Sequence, residues 1–246
     1  MEFLNTDKLH SDVKLLFLPF LQKLITEDKD KIISAWVYGS AASAAYVPGV
    51  SDINSVLVVS AINQDFLDRR LKIIRAAGRK RIEAPLILTE DHIRSSSDVF
   101  PIEFLEMKQH HVLLYGKDIL KDLVVEEEHI RLFCEQQIKG KLIRIRQAYL
   151  EVGLKRKGIE SLLRESLGSL LPVFRNLLRL RGIEVPIEKE AVLARLGEEF
   201  DLDPGMMIFI WKDQKKAHHV TRVYPRDVFD DYIQQLEKLA RAVDQL

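Results

Sequence analysis

The stretch WVYGSAASAAYVPGVSDINSVLVV, residues 36–59, decides the fold. Its two apolar runs predict two buried strands, the first ending at Gly39 and the second opened by Asp52. A glycine at a strand end lets the backbone approach a phosphate, and the amides that begin a following helix point toward an anion. Residues two apart on a strand point to the same face, so Asp52 and Asn54 would project together toward whatever Gly39 and Ser40 hold. The stretch therefore predicts a phosphate site with metal-binding side chains beside it.

The segments on either side of this stretch predict a small sheet flanked by helices. Residues 9–25 carry apolar side chains at helical spacing, and QDFLDRRLKIIRAAG, residues 64–78, has a helical pattern that ends at a glycine. Strands separated by helices are typical of an α/β sheet. The predicted strands are KIISAWVY (31–38), SDINSVLVV (51–59), APLILT (84–89), VFPIEFLEM (99–107) and HVLLYG (111–116).

The second half of the chain has a helical pattern from Gly116 to its end. Apolar spacing predicts helices within residues 130–149, 159–178, 188–200 and 228–243, in a bundle of about five helices. The predicted fold class is α/β (α+β), with a small mixed β-sheet domain over residues 1–120. An all-α helical bundle domain over residues 121–246 follows it.

Composition and charge exclude several partners and settings. Lys plus Arg and Asp plus Glu each number 37, so no net field steers the chain toward nucleic acid or an anionic membrane. The single cysteine, Cys134, excludes an internal disulfide and a cysteine-rich zinc site, and its apolar neighbours predict a buried structural thiol. No apolar run reaches the roughly 18 residues of a membrane span, and the acidic start differs from a secretory signal. We therefore expect a cytoplasmic protein without membrane or nucleic-acid partners.

The segment GSAASAAYVPGVSDINSVLVV resembles the signature of the DNA polymerase β-like nucleotidyltransferase superfamily, in which Gly-Ser precedes Asp-x-Asp or Asp-x-Glu on a strand. The likeness is to small bacterial members of the kanamycin-nucleotidyltransferase type, which join this domain to a C-terminal helical bundle. LLYG at the end of the first domain and RGIEVPIEKEAVLARL in the second agree with it, so the resemblance covers most of the chain. It implies magnesium-dependent transfer of a nucleoside monophosphate from a nucleoside triphosphate to a hydroxyl of a small molecule or protein.

Carried over by position, the resemblance implies a role for each residue of the site. Gly39 and Ser40 would bind the nucleotide phosphates, and Asp52 would bind magnesium. A third acid on a later strand would help to activate the attacking hydroxyl. Glu103 in FPIEFLEM is the preferred third acid because it falls within the strand pattern, and Glu106 near its exit is the alternative.

Asn54 departs from the family pattern, which has a second acid at that position. An amide oxygen coordinates magnesium without charge, so a site made of Asp52, Asn54 and Glu103 would hold the ion more weakly than paired acids do. Asn54 would also contact the nucleotide. Two functions follow: a nucleotidyltransferase with an unknown small-molecule or protein acceptor, and a degenerate member that serves as a nucleotide sensor or protein-interaction module. Whether the bundle mediates a homodimer, and which nucleotide is preferred, stay open.

Other features have more ordinary interpretations. The basic run over residues 69–81 could bind a phosphate-rich substrate, but such a run more often forms the solvated face of a helix. The basic residues between 139 and 146 are read in the same way. The pairs His110–His111 and His218–His219 point apart in either secondary structure, so neither pair alone is a metal site. Trp36 and Trp211 lack the aromatic neighbours of a base-stacking platform, which favours packing roles.

Overall fold

The computed structural model describes residues 2–153, 155–216 and 225–246 of the chain. These residues form two compact units that meet in sequence at Val125 and Glu126. The sequence places the domain boundary at residue 120, and the assignment of each unit as a separate functional domain stays a prediction. Within the described ranges, no helix combines the length and the apolar character that crossing a membrane requires.

The first unit contains a four-stranded mixed sheet. Its strands are β1 (Ile32–Tyr38), β2 (Asn54–Val59), β3 (Leu86–Leu88) and β4 (His111–Gly116). The spatial order is β3-β2-β1-β4, with β1 antiparallel to both β2 and β4, and β2 parallel to β3. The predicted mixed sheet is therefore confirmed, and the two strands of the quoted stretch are neighbours at its centre.

Four helices accompany this sheet in the first unit. They are α1 (Ser11–Glu27), α2 (Gln64–Gly78), α3 (Glu90–Ser95) and α4 (Pro101–Gln109). The start of α2 is set by Asn63, whose side-chain oxygen accepts the backbone N–H of Phe66 at 2.9 Å, as a helix N-cap does. Its end at Gly78 is where the sequence predicts it.

Both faces of the sheet are covered, which explains why its central strands, β1 and β2, are buried over most of their length. Along β2, Leu57 and Val59 pack with Phe17 of α1 and Phe66 of α2 on one face. Side chains alternate along a strand, so the residues between them point to the opposite face. There they form a second core with α3, α4 and the segment after β4; its members include Trp36, Val56, Val58, Ile93 and Phe104.

A buried ion pair joins α2 to the end of α1. Arg70 is fully buried, and its Nη2 lies 2.9 Å from Oδ2 of Asp28. Nη1 donates to the carbonyl of Phe66 at 2.6 Å, and the guanidinium lies 3.3 Å from the centroid of the Phe66 ring. Part of the basic run over residues 69–81 therefore faces the protein interior rather than solvent.

In the second unit, all of the regular secondary structure that is described is helical. They are α5 (Glu127–Val152), α6 (Arg156–Leu180), α7 (Lys189–Phe200), α8 (Gly205–Lys216) and α9 (Pro225–Asp244). Cys134 on α5 is buried, and this burial raises the pKa of its thiol to about 12. The predicted burial of this cysteine is therefore confirmed.

The segment VFPIEFLEM is the helix α4 and its approach, so the predicted fourth strand is wrong. Pro101 is the first residue of α4, where a missing backbone N–H costs nothing because no helical acceptor faces it. Pro101, Phe104 and Met107 are buried at intervals of three, which matches one face of a helix. An internal proline also argues against a central strand, and this signal could have identified the helix from sequence.

Candidate functional site

The Gly-Ser turn directly follows β1. Gly39 has a φ of 68°, a backbone conformation that glycine adopts without the steric cost that a Cβ brings. The chain then makes a 3₁₀ turn, Gly39–Ala42, that ends at Ser43, so the predicted helix after Gly-Ser is only one turn long. The carbonyl of Ser40 accepts the Ser43 N–H at 3.0 Å, while the Ser40 hydroxyl has no protein partner among the described residues.

Asn54 lies beside this turn. It is the first residue of β2 and pairs with Tyr38, the last residue of β1. A Cβ built on Gly39 would lie 4.0 Å from Nδ2 of Asn54, so these two predicted site residues are adjacent. The Asn54 side chain is half-buried, and within the part of the chain described here its amide makes no hydrogen bond. The structure therefore leaves a hydroxyl and an amide available to a ligand next to Gly39.

Asp52 precedes β2 and forms an ion pair with an arginine that sequence reasoning did not assign to the site. Oδ1 of Asp52 lies 3.1 Å from Nη2 of Arg81, and each side chain is about half exposed. The same Nη2 donates to the carbonyl of Val50. The carboxylate predicted to bind magnesium is thus already compensated by a guanidinium of this chain.

The backbone fixes Arg81 next to Asp52. Ile53, which follows Asp52, donates its N–H to the Arg81 carbonyl at 2.8 Å and accepts the Glu83 N–H at 3.1 Å. Arg81 itself has a φ of 60°, an uncommon conformation for a residue with a long side chain. Its position at the end of the basic run was visible in the sequence, but its pairing across the turn after α2 was not.

Glu103 lies on α4 rather than on a strand, so the premise for choosing it as the third acid is wrong. Its side chain is exposed, and so is that of Glu106 one turn later. No Asp or Glu occurs on any of the four strands of the described sheet. Assignment of Glu103 to catalysis stays a prediction without the strand geometry that motivated it.

These residues do not fit a two-metal magnesium site. Magnesium prefers carboxylate oxygens in octahedral geometry, and paired ions need several negative charges to hold them together. Here Asp52 is paired with Arg81, Asn54 is neutral, and Glu103 lies on a helix. Across residues 2–153, 155–216 and 225–246, no group of three or more His, Cys, Asp or Glu side chains is placed to hold a metal. His218 and His219 lie outside the described residues.

A row of polar side chains crosses the sheet at this end. Tyr38 pairs with Asn54 on one side and with His111 of β4 on the other, so all three point to the same face. Nε2 of His111 lies 3.4 Å from Oδ1 of Asp118, and burial raises the pKa of the Tyr38 hydroxyl. Sequence reasoning missed this row because the strand register, which brings His111 opposite Tyr38, is not visible in local patterns.

The other predicted features have structural roles. Trp36 is buried in the sheet core, and its ring lies 6.0 Å from that of His111 in an edge-on arrangement. Trp211 lies under Lys189, whose Nζ is 4.3 Å from its ring centroid. In the helical unit, Lys139 pairs with Glu135 and Asp244, and Arg146 pairs with Glu237.

Comparisons with known proteins support the fold. No protein-family model and no curated protein matches the sequence. Among solved structures, the chain is similar to spectinomycin adenyltransferase AAD(9) from Enterococcus faecialis, solved with ATP and spectinomycin. The likeness covers 92% of this chain and 98% of that one at 12% identity, with a TM-score of 0.51. The predicted fold is confirmed: an N-terminal nucleotidyltransferase fold followed by helices.

Proposed function

We propose that this chain is a catalytically degenerate nucleotidyltransferase-fold protein that binds a nucleoside triphosphate beside Gly39 without two-metal chemistry, and acts as a nucleotide sensor or protein-interaction module. The Asp52–Arg81 ion pair carries the proposal, because Arg81 supplies the positive charge that magnesium supplies in the family. The fold shared with an enzyme solved with ATP supports a nucleotide as the ligand class.

Arg81 has the hydrogen-bonding capacity for this role. A guanidinium carries five N–H donors, and the contacts to Asp52 and Val50 both use Nη2. Its Nη1 and Nε donors therefore remain for a phosphate, which suits the planar, bidentate geometry of arginine. The Ser40 hydroxyl and the Asn54 amide would add neutral hydrogen bonds to the nucleotide.

Replacing Asp52 with Asn tests this proposal, since the Asp52 carboxylate repels a phosphate and partly neutralises the charge of Arg81. In EDTA, we expect Asp52→Asn to strengthen ATP binding several-fold, and Arg81→Ala to weaken it roughly tenfold. Binding is measured by titration calorimetry and by the ATP-dependent rise in melting temperature. Asp122→Asn is the control, because its exposed carboxylate has no ion pair among the described residues. ATP binding that vanishes in Asp52→Asn, or that never occurs without a divalent cation, contradicts the proposal.

A second candidate function is transfer of a nucleoside monophosphate to a hydroxyl of a small molecule. It is favoured by the near full-length likeness to a structure that contains both ATP and spectinomycin. Its signature is release of pyrophosphate from ATP in magnesium, lost in Asp52→Asn. The same substitution therefore has opposite effects under the two candidates: stronger metal-free binding for the degenerate protein, and loss of turnover for the enzyme.

Restoring the second acid is a separate test of how residue 54 is placed. We expect Asn54→Asp to strengthen magnesium-dependent ATP binding and to weaken binding in EDTA, because a second carboxylate attracts the cation and repels the phosphates. Asn63→Asp adds the same charge at the N-cap of α2, where aspartate caps equally well, and serves as the control. Equal ATP affinities of Asn54→Asp and the parent chain, with and without magnesium, would show that residue 54 does not face the ligand.

A further inference from the structure

A cavity of about 290 Å³ lies between α1, α2 and the turn that follows α2. Buried side chains contribute to its lining, among them Phe20 of α1, Ala77 of α2 and Ile82 after the turn. Pro19 of α1 and Ala76 of α2 also line it. Its size is just below the roughly 300–1,000 Å³ that small-molecule pockets span, which suits a small ligand.

Three lysines from different segments also line this cavity. Lys23 belongs to α1, Lys72 to α2 and Lys80 to the turn after α2. None of the three ammonium groups has an ion pair or hydrogen bond within the described residues, and no Asp or Glu lines the cavity. Since the chain as a whole carries equal numbers of acidic and basic residues, this is a local excess of positive charge around an apolar floor.

We propose that the cavity binds a small anionic amphiphile, a carboxylate or phosphate monoester that carries one alkyl chain. The alkyl chain would displace water from the apolar floor, and its burial is the main favourable term. The anionic head would be compensated by the lysines, whose flexible stems let the ammonium groups reach it. The cavity volume fits a single chain and a single head group, which favours a small ligand over a peptide or a lipid surface.

Titration of the full chain with four probes tests both halves of the ligand. Decanoate and decyl phosphate are used below their micelle concentrations, with decanol and acetate as partial ligands. We expect both decyl anions to bind at least tenfold more tightly than decanol, which lacks the charge, and acetate, which lacks the chain. Equal binding of decanol would overturn the role of the lysines, and equal binding of acetate would overturn the role of the floor.

Substitutions then locate the binding. The triple variant Lys23→Gln, Lys72→Gln and Lys80→Gln should weaken decanoate binding at least tenfold. The control triple Lys8→Gln, Lys29→Gln and Lys121→Gln removes the same charge from exposed positions of the same unit. These lysines make no ion pair with any residue that the structure describes, so their replacement should leave binding unchanged. A uniform loss in both triples would contradict a local site.

A filling substitution provides a second, charge-independent test. Ala76→Trp should block the cavity and abolish decanoate binding, while Ala61→Trp at an exposed loop position should not.

Vesicles of phosphatidylglycerol distinguish a free amphiphile from a lipid surface as the ligand. Vesicle binding without decanoate binding would indicate a membrane surface and overturn the proposal. ATP binding is measured in the same variants and should be unchanged, so this inference and the nucleotide proposal fail independently.

Discussion

Asp28→Asn is expected to lower the free energy of unfolding of the first unit by about 3 kcal/mol at neutral pH, because it leaves a buried guanidinium without its counter-ion. Arg70 has no exposed surface, and Asp28 is its carboxylate partner at 2.9 Å. A loss of this size lowers the melting temperature by on the order of 10 °C. Trp36 is buried in this unit, so its fluorescence in a Trp211→Phe background reports the unfolding in urea.

The pH dependence of this variant has a defined sign. Burial alone would raise the pKa of Asp28, but the hydrogen bond and charge of Arg70, with Arg69 and Lys31, lower it below the ordinary 3.8. A lowered folded-state pKa gives stability that is present above the unfolded pKa and lost as pH falls through the folded one. The difference between Asp28→Asn and the parent chain should therefore be constant above about pH 5 and shrink below pH 4.

Two further variants identify the cause of the loss. Asp30→Asn removes an exposed carboxylate two residues away and should change stability by less than about 0.5 kcal/mol. Adding Arg70→Met to Asp28→Asn removes the unpaired buried guanidinium while filling a similar volume. The double variant should recover most of the lost unfolding free energy. If the double variant is no more stable than Asp28→Asn, the uncompensated charge is not the cause.

Gly116→Ala is expected to destabilise the first unit by about 3 kcal/mol, combining backbone strain with a steric clash. Gly116 ends β4 with a φ of 75°, and a Cβ there would lie 1.9 Å from the carbonyl oxygen of Ile33. The clash is with backbone of the adjacent strand, so a side-chain rotation cannot relieve it. The end of β4 would have to move away from β1, beside the buried Ser34 that pairs with Gly116. Urea unfolding measures the loss.

Gly49→Ala separates the two contributions. Gly49 has a φ of 73°, close to that of Gly116, but a Cβ built on it meets nothing within 4 Å. It should therefore show only the backbone cost of about 1 kcal/mol. Similar losses at both positions would mean that the contact with Ile33 relaxes freely.

The parts of the fold that sequence predicts are those with a strong local period. The strands of the first stretch, the helix that ends at Gly78 and the long helices of the second half were all readable from apolar spacing. VFPIEFLEM was not, because its apolar residues fit both a strand and a helix over so short a length. Pro101 is the residue that distinguishes the two structures, since proline is favoured at a helix start and excluded from a central strand.

The candidate site was only partly readable for a related reason. Gly39, Ser40 and Asn54 are brought together because β1 and β2, which follow one another along the chain, are also paired in the sheet. Arg81 reaches Asp52 from a turn more than twenty residues later, and His111 reaches Tyr38 through a register that joins distant segments. Non-local pairings of this kind depend on tertiary packing, which a single sequence without an alignment does not display.

Lys80, Arg81 and Ile82 are consecutive, yet they serve two different surfaces: the first and third line the cavity between α1 and α2, and the second holds Asp52. A ligand that moved the backbone of this segment at one surface would also move it at the other. Thermodynamic linkage makes any such effect reciprocal, so the factor by which an amphiphile changes ATP affinity equals the factor by which ATP changes amphiphile affinity.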